Sequence, residues 1–136
     1  MRPLVFAAAL ALGAAPALAD PVDGEWLNQD RTGKIRFAAC PAKADRMCGT
    51  ISWLKDPTKT KDVNNPDPAL RSRPLVGLQV VRDFKLAAPG RWTGGKIYDP
   101  KSGKTYDSKA AVNADGTLKL EGCIAFICQA QTWTRN

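Results

Sequence analysis

Four cysteines, Cys40, Cys48, Cys123 and Cys128, carry the most reactive side chains in the sequence. Thiolates bind zinc, attack carbonyls or oxidise to disulfides, and spacing discriminates among these fates. Here the spacings are C-x7-C and C-x4-C, neither matches C-x2-C, and the chain has no histidine to complete a mixed site. No metal centre is expected. The missing histidine also removes Ser-His-Asp and Cys-His nucleophile systems. Two acids suffice for glycoside chemistry, which leaves Asp62, Asp67, Asp99 and Asp107 as candidates. Yet Asp99 precedes Pro100 in a turn signal and Asp62 sits in a proline-rich stretch, where aspartate serves turns and caps. Gly94-Gly95-Lys96 falls within a strand pattern and marks a bend or bulge. The expectation is a non-enzyme without a cofactor.

An even cysteine count in a small exported domain points to disulfides. Along 33–40, Ile35, Phe37 and Ala39 alternate with Lys34, Arg36, Ala38 and Cys40. Along 47–55, Ile51 and Trp53 lie opposite Cys48, Thr50 and Ser52. Both cysteines fall on the polar side of neighbouring strands, which makes a Cys40–Cys48 bridge reasonable and leaves Cys123 with Cys128. Export itself is read from residues 1–19. Arg2 gives a positive start, Leu4 to Leu12 is apolar, and Ala17-Leu18-Ala19 is an A-x-A cleavage pattern. The apolar run is short for a membrane-crossing helix, so no transmembrane anchor is expected. A periplasmic or secreted protein is predicted, cut after Ala19, with residues 20–136 as one domain. Loss of Arg2 takes the net charge from +7 to +6. No run of like charges resembles a nucleic-acid arm. The scattered positive charge serves solubility, or weak attraction to lipid headgroups and acidic glycans.

The elements that must position these groups are short and regularly punctuated. Strands are predicted over 24–29, 34–40, 48–54, 75–82, 91–98, 104–113, 117–122 and 130–135, with 41–47 as a loop. Asp115-Gly116 is a hairpin signal, and Asp99 to Gly103 supplies proline and glycine for another tight turn. Eight strands without a helical period indicate an all-β, antiparallel sandwich or up-and-down barrel. Such a barrel is filled by side chains or holds one small ligand. Between 55 and 74 the chain is polar and contains Pro57, Pro66, Pro68 and Pro74, a loop of functional length. Asp67-Pro68 is a helix-start signal for one turn over 68–72.

Gly24-Glu25-Trp26 opens the first strand, and Trp133-Thr134-Arg135 closes the last. This G-x-W with a terminal arginine resembles the lipocalin and wider calycin pattern. The resemblance implies an eight-stranded barrel in which Arg135 covers Trp26 at one end. A second resemblance spans nearly all of 20–136. It rests on Gly24-Glu25-Trp26, Cys48-Gly49-Thr50-Ile51, Asp62 with Asn65-Pro66, Arg71-Ser72-Arg73-Pro74-Leu75, Gly77-Leu78, Gly94 to Pro100, Gly103-Lys104-Thr105-Tyr106 and Thr132 to Arg135. By these the chain is identified as a member of an uncharacterised exported bacterial family, domain of unknown function 2147. Val76 departs from the family, which often has cysteine there, and Cys128 is present instead. The family implies no activity.

A ligand site, if the barrel is hollow, is expected from two groups. Trp92, Lys96 and Tyr98 share strand parity and would set a cation beside two rings if they face the interior. Asp62, Arg71 and Arg73 in the long loop would meet an anionic headgroup at a rim or lid. The expected partner is a small apolar or amphipathic molecule. The alternative is an envelope interaction or maintenance module whose barrel is filled by its aromatic side chains.

Overall fold

The computed structural model describes residues 3–4 and 20–135. Except for residues 3 and 4, the expected leader and its cleavage point lie outside the described residues. The chain forms β1 (Gly24–Leu27), β2 (Gly33–Cys40), β3 (Lys43–Leu54), β4 (Gln79–Ala88), β5 (Arg91–Asp99), β6 (Lys104–Val112), β7 (Leu118–Ile124) and β8 (Ile127–Trp133). Each strand pairs antiparallel with the next in chain order, giving one eight-stranded sheet. The sheet curls until its edges touch. Leu27 and Thr134 exchange both backbone hydrogen bonds, at 2.6 and 3.0 Å, and among the described residues that is the single rung between the outer strands.

Alternation creates an inside and an outside. Ile35 and Phe37 are buried while Arg36 between them is exposed, and Leu118 and Leu120 are buried around exposed Lys119. Several boundaries differ from expectation, and β4 also runs on to Ala88, six residues past its expected end. β3 begins at Lys43, so the loop expected over 41–47 is a two-residue turn at Pro41-Ala42. β4 begins at Gln79 because Leu75 to Leu78 forms a turn, with Gly77 at φ 89° and the Leu78 N–H donating to Leu75. Leu75 is still buried, so its apolarity reflects packing and not strand membership. β7 and β8 both run further than expected, to a two-residue tip of Ala125 and Phe126.

Two disulfides brace this sheet, Cys40–Cys48 and Cys123–Cys128. Cys40 and Cys48 are buried, although parity puts them on the polar side. For Cys40 a register shift between Ala39 and Cys40 breaks the alternation; Cys48 keeps its place opposite exposed Ala38 and is covered by the bridge.

One end of the barrel is densely filled. Val22, Trp26, Phe37, Val81, Phe84 and Leu118 are all essentially inaccessible to solvent. Below them, the segment 20–23 acts as a floor. Asp20 accepts hydrogen bonds from the Trp92 indole (3.0 Å) and from the backbone of Gly90 (3.1 Å). The Trp26 indole donates to the Val22 carbonyl at 2.8 Å. The Arg135 guanidinium stacks 3.8 Å from the Trp26 ring and donates to the Asp23 carbonyl at 2.7 Å. Gly24 has φ 104°, and a Cβ there would lie 3.1 Å from the Arg135 guanidinium. The G-x-W glycine thus makes room for the arginine that covers the tryptophan.

Candidate ligand cup

The opposite end is hollow. A cavity of about 980 Å³ opens there, walled by Ile35, Ile51, Val80, Ile97, Leu120 and Trp133. Its emptiness follows from where the bulk lies. Phe37, Phe84, Trp26 and Trp92 crowd the base, whereas glycines at 33 and 122 line the upper wall. Tyr98, Tyr106, Gln129 and Gln131 add polar groups, and Lys55, Lys59, Lys61 and Lys101 approach from the mouth. Among the described residues, Lys101 pairs with Asp30 at 3.3 Å, while Lys55, Lys59 and Lys61 have no carboxylate within ion-pair distance.

The connection between β3 and β4 frames the mouth and is held by a buried polar latch. Asp62 is fully buried. It accepts from the Tyr98 hydroxyl at 2.6 Å, from the Asn65 amide at 2.9 Å and from the Arg73 guanidinium at 2.9 Å. Arg73 also lies 5.6 Å from the Tyr98 ring centroid. Burial alone would raise the Asp62 pKa, but hydrogen bonds from Tyr98, Asn65 and Arg73 outweigh it and hold the carboxyl below its ordinary value. The Tyr98 hydroxyl is pushed up to about 12, first by burial and then by its bond to Asp62. The proton therefore stays on the tyrosine, and the carboxylate stays charged. A second fastening joins this connection to the β5–β6 turn. The Asn64 amide donates to the carbonyls of Pro100 and Lys101, both at 3.2 Å. Gly103 packs so closely on Asn64 that a Cβ would lie 2.1 Å from its carbonyl oxygen. The helical turn begins as its sequence implies, with Asp67 capping Pro68–Leu70 through the Ala69 N–H.

Of the six expected ligand contacts, only Tyr98 lines the cavity. Asp62 and Arg73 join it from behind, in the latch. Arg71 is exposed and donates to the Asn65 carbonyl at 2.8 Å. Trp92 belongs to the base, bonded to Asp20. Lys96 is exposed and paired with Asp107, away from the cavity. The expected sharing of one face by Trp92, Lys96 and Tyr98 is thus corrected. Gly94 adopts φ 66°, and the β5–β6 register shifts between Trp92 and Gly95, which breaks simple alternation. Gly95 is required at this bulge because a Cβ would sit 2.1 Å from the Phe84 ring.

The carboxylates weighed as catalytic pairs have local partners. Asp62 is in the latch and Asp67 caps a turn. Asp99 accepts from Lys101 N–H and the Ser102 hydroxyl, and Asp107 pairs with Lys96. Glu121 approaches Cys123 and Cys128, but a disulfide already joins the two sulfurs, and Lys119 and Lys109 hold the carboxylate. The mouth lysines are the feature that sequence reasoning did not assemble. Their crowding at 55, 59 and 61 in the one long loop was the available signal.

Comparison with known proteins agrees with this architecture. Residues 24–135 match the family model described as an uncharacterised protein conserved in bacteria (DUF2147). No curated protein matches the chain. Among solved structures, the chain is similar to HP1028 from Helicobacter pylori, described as belonging to the lipocalin family. The TM-score is 0.74 at 24% identity, covering 85% of this chain and 82% of that one. The likeness is one of fold.

Proposed function

We propose that this chain, which belongs to the bacterial DUF2147 family, binds an amphipathic molecule with an apolar tail and an anionic head in its barrel cup. The carrying observation is the cavity of about 980 Å³ with an apolar wall and lysines at its mouth. That volume lies within the range of roughly 300–1,000 Å³ typical of small-molecule sites. Each methylene moved from water onto such a wall contributes about 0.8 kcal/mol, so an acyl or isoprenoid tail supplies the affinity. Lys55, Lys59 and Lys61 meet the headgroup, and the open side of Arg71 reinforces them. Tyr98 presents one ring face to the tail, while Asp62 and Arg73 fix the rim. The lipocalin-like fold is compatible with this role, and neither fold nor family supplies an activity, so the role proposed is non-enzymatic. The alternative, a filled barrel acting through its loops alone, has no support from a cavity this large.

The same proposal places the protein in the periplasm or outside the cell, cut after Ala19. Its two disulfides suit an oxidising compartment. Among the described residues no helix is long and apolar enough to cross a membrane. Mass spectrometry of the protein from envelope fractions should return an N-terminus at Asp20.

Trp133 lines the cup and is a built-in reporter. Titration with fatty acids and isoprenoid phosphates should change tryptophan emission saturably, and Trp133→Phe should remove most of that change. An unresponsive spectrum, together with purified protein free of lipid by mass spectrometry, would sink the ligand proposal.

A further inference from the structure

The β7–β8 tip breaks the rule that apolar side chains are covered. Ile124 is 55% exposed, Ile127 is 75% exposed and Phe126 is fully exposed. The Cys123–Cys128 disulfide sits directly beneath these residues, so the protrusion is short and braced. Nine large apolar side chains are exposed among the described residues, and three of them are on this one tip. Isolated exposed apolar residues need no explanation, but a clustered patch does.

The tip has a defined place in the barrel. Connections β1–β2, β3–β4, β5–β6 and β7–β8 all emerge at the mouth, as the contacts of Asn64 with the β5–β6 turn and of Lys101 with Asp30 show for three of them. Cys123 pairs with Asp107. Extending that register carries Ile124 to Tyr106, which lines the cup, and brings the tip level with Lys104. Charge is divided along the same axis. The mouth-side connections hold seven cationic and four acidic side chains, net +3. The base connections, with segments 20–23 and 134–135, hold one cationic and three acidic side chains, net −2. The excess of positive charge on the mouth-side connections favours turning the mouth toward a negative surface.

We infer that the mouth end docks on an anionic lipid bilayer, with Phe126 and its two isoleucine neighbours entering the headgroup–acyl boundary and the mouth lysines facing the phosphates. An aromatic residue on a disulfide-braced tip at the lysine-bearing end combines the two contributions that hold proteins at such interfaces. A second copy of the chain would bury the same apolar residues, but it would bring two positive mouths together. The charge distribution therefore favours lipid. This docking shares its lysines with the proposed headgroup site, and Phe126, which lies outside the cup lining, separates the two.

Co-sedimentation with vesicles of equimolar phosphatidylglycerol and phosphatidylcholine tests it. The protein should bind these vesicles, release them as salt is raised, and leave pure phosphatidylcholine vesicles unbound. Phe126→Ser should weaken binding about tenfold, with near-UV circular dichroism unchanged because the side chain packs against nothing. Lys59→Gln with Lys61→Gln should also weaken it about tenfold and flatten the salt dependence. Phe126→Trp should keep binding and add an emission component quenched by brominated acyl chains. Three results would overturn the inference: no binding to anionic vesicles, equal binding by Phe126→Ser, or a solution dimer abolished by Phe126→Ser in a protein that ignores vesicles. Failure here leaves the cup's tryptophan titration standing, so the two proposals fail separately.

Discussion

The base and the mouth are built from the same eight strands and solve opposite problems. At the base, aromatic rings fill the lumen, and the floor segment, the Trp26 indole and the Arg135 guanidinium satisfy one another. At the mouth, the lumen is empty, and the ordering of the rim rests on a buried charge with three donors. Apolar packing is non-directional and contributes in proportion to area, whereas a buried carboxylate is stable only if every partner stays in place. The base is therefore where stability concentrates, and the latch is where geometry is fixed for the cup.

Changes at the base should be the most damaging. Trp26→Ala removes a fully buried ring and the surface on which Arg135 stacks, and should cost roughly 3–5 kcal/mol in denaturant unfolding. The fraction that remains folded should bind ligand with unchanged affinity, since the cup is untouched. A loss of affinity per folded molecule would show that the two ends are not independent.

The latch ranks second. Asp62→Ala leaves Tyr98, Asn65 and Arg73 without their shared acceptor and should cost about 2–3 kcal/mol, with a larger effect on ligand affinity than Trp26→Ala has. Its pH dependence carries a sign at each end. The Asp62 pKa is held below its ordinary value, so its stabilisation is full above about pH 4 and is lost as pH falls through the folded value. The Tyr98 pKa is raised to about 12, so its contribution is full below about pH 10 and disappears as pH rises toward 12. Asp62→Asn should flatten the acid limb and Tyr98→Phe the alkaline one. Stability curves of both variants that overlay the parent would remove the latch from the account.

Smaller effects sharpen the contrast. Gly24→Ala should cost about 1–2 kcal/mol, because φ 104° suits glycine and the new methyl would press on Arg135. Lys96→Gln should change stability by less than about 0.5 kcal/mol, as expected for an exposed ion pair, and should leave ligand titrations unaltered. An affinity loss in Lys96→Gln would return that lysine to the site.

Much of the base was legible in the sequence, and much of the mouth was not. Trp26 and Arg135 were legible through the resemblance to the lipocalin pattern, whereas the positive φ of Gly24 emerges only from the fold. The disulfide partners were within reach of strand parity, since hairpin geometry restricts which sulfurs can meet. The placement of Lys96 was not legible, because a single bulge at Gly94-Gly95 breaks the parity on which its side was judged. Nor was the latch, since Asp62 and Tyr98 are 36 positions apart and the loop that carries Asp62 has no periodicity to project. The mouth lysines were visible individually, but only the path of the loop gathers them. Local chemistry can be read from order along the chain; convergence of a long loop on a cavity cannot.

The lone rung between Leu27 and Thr134 also governs when the molecule can be completed. Seven of the eight strand seams join neighbours in the chain and can zip as each hairpin is made. The eighth must wait until residues more than a hundred positions apart are both available, as must the Arg135–Asp23 contact, separated by 112. Such distant closure is slow relative to hairpin formation. A chain synthesised from its N-terminus therefore carries β1 with one naked edge until β8 arrives. During that interval the floor segment has no arginine to hold it, and the nascent ribbon is most exposed to proteases and to pairing with the wrong neighbour.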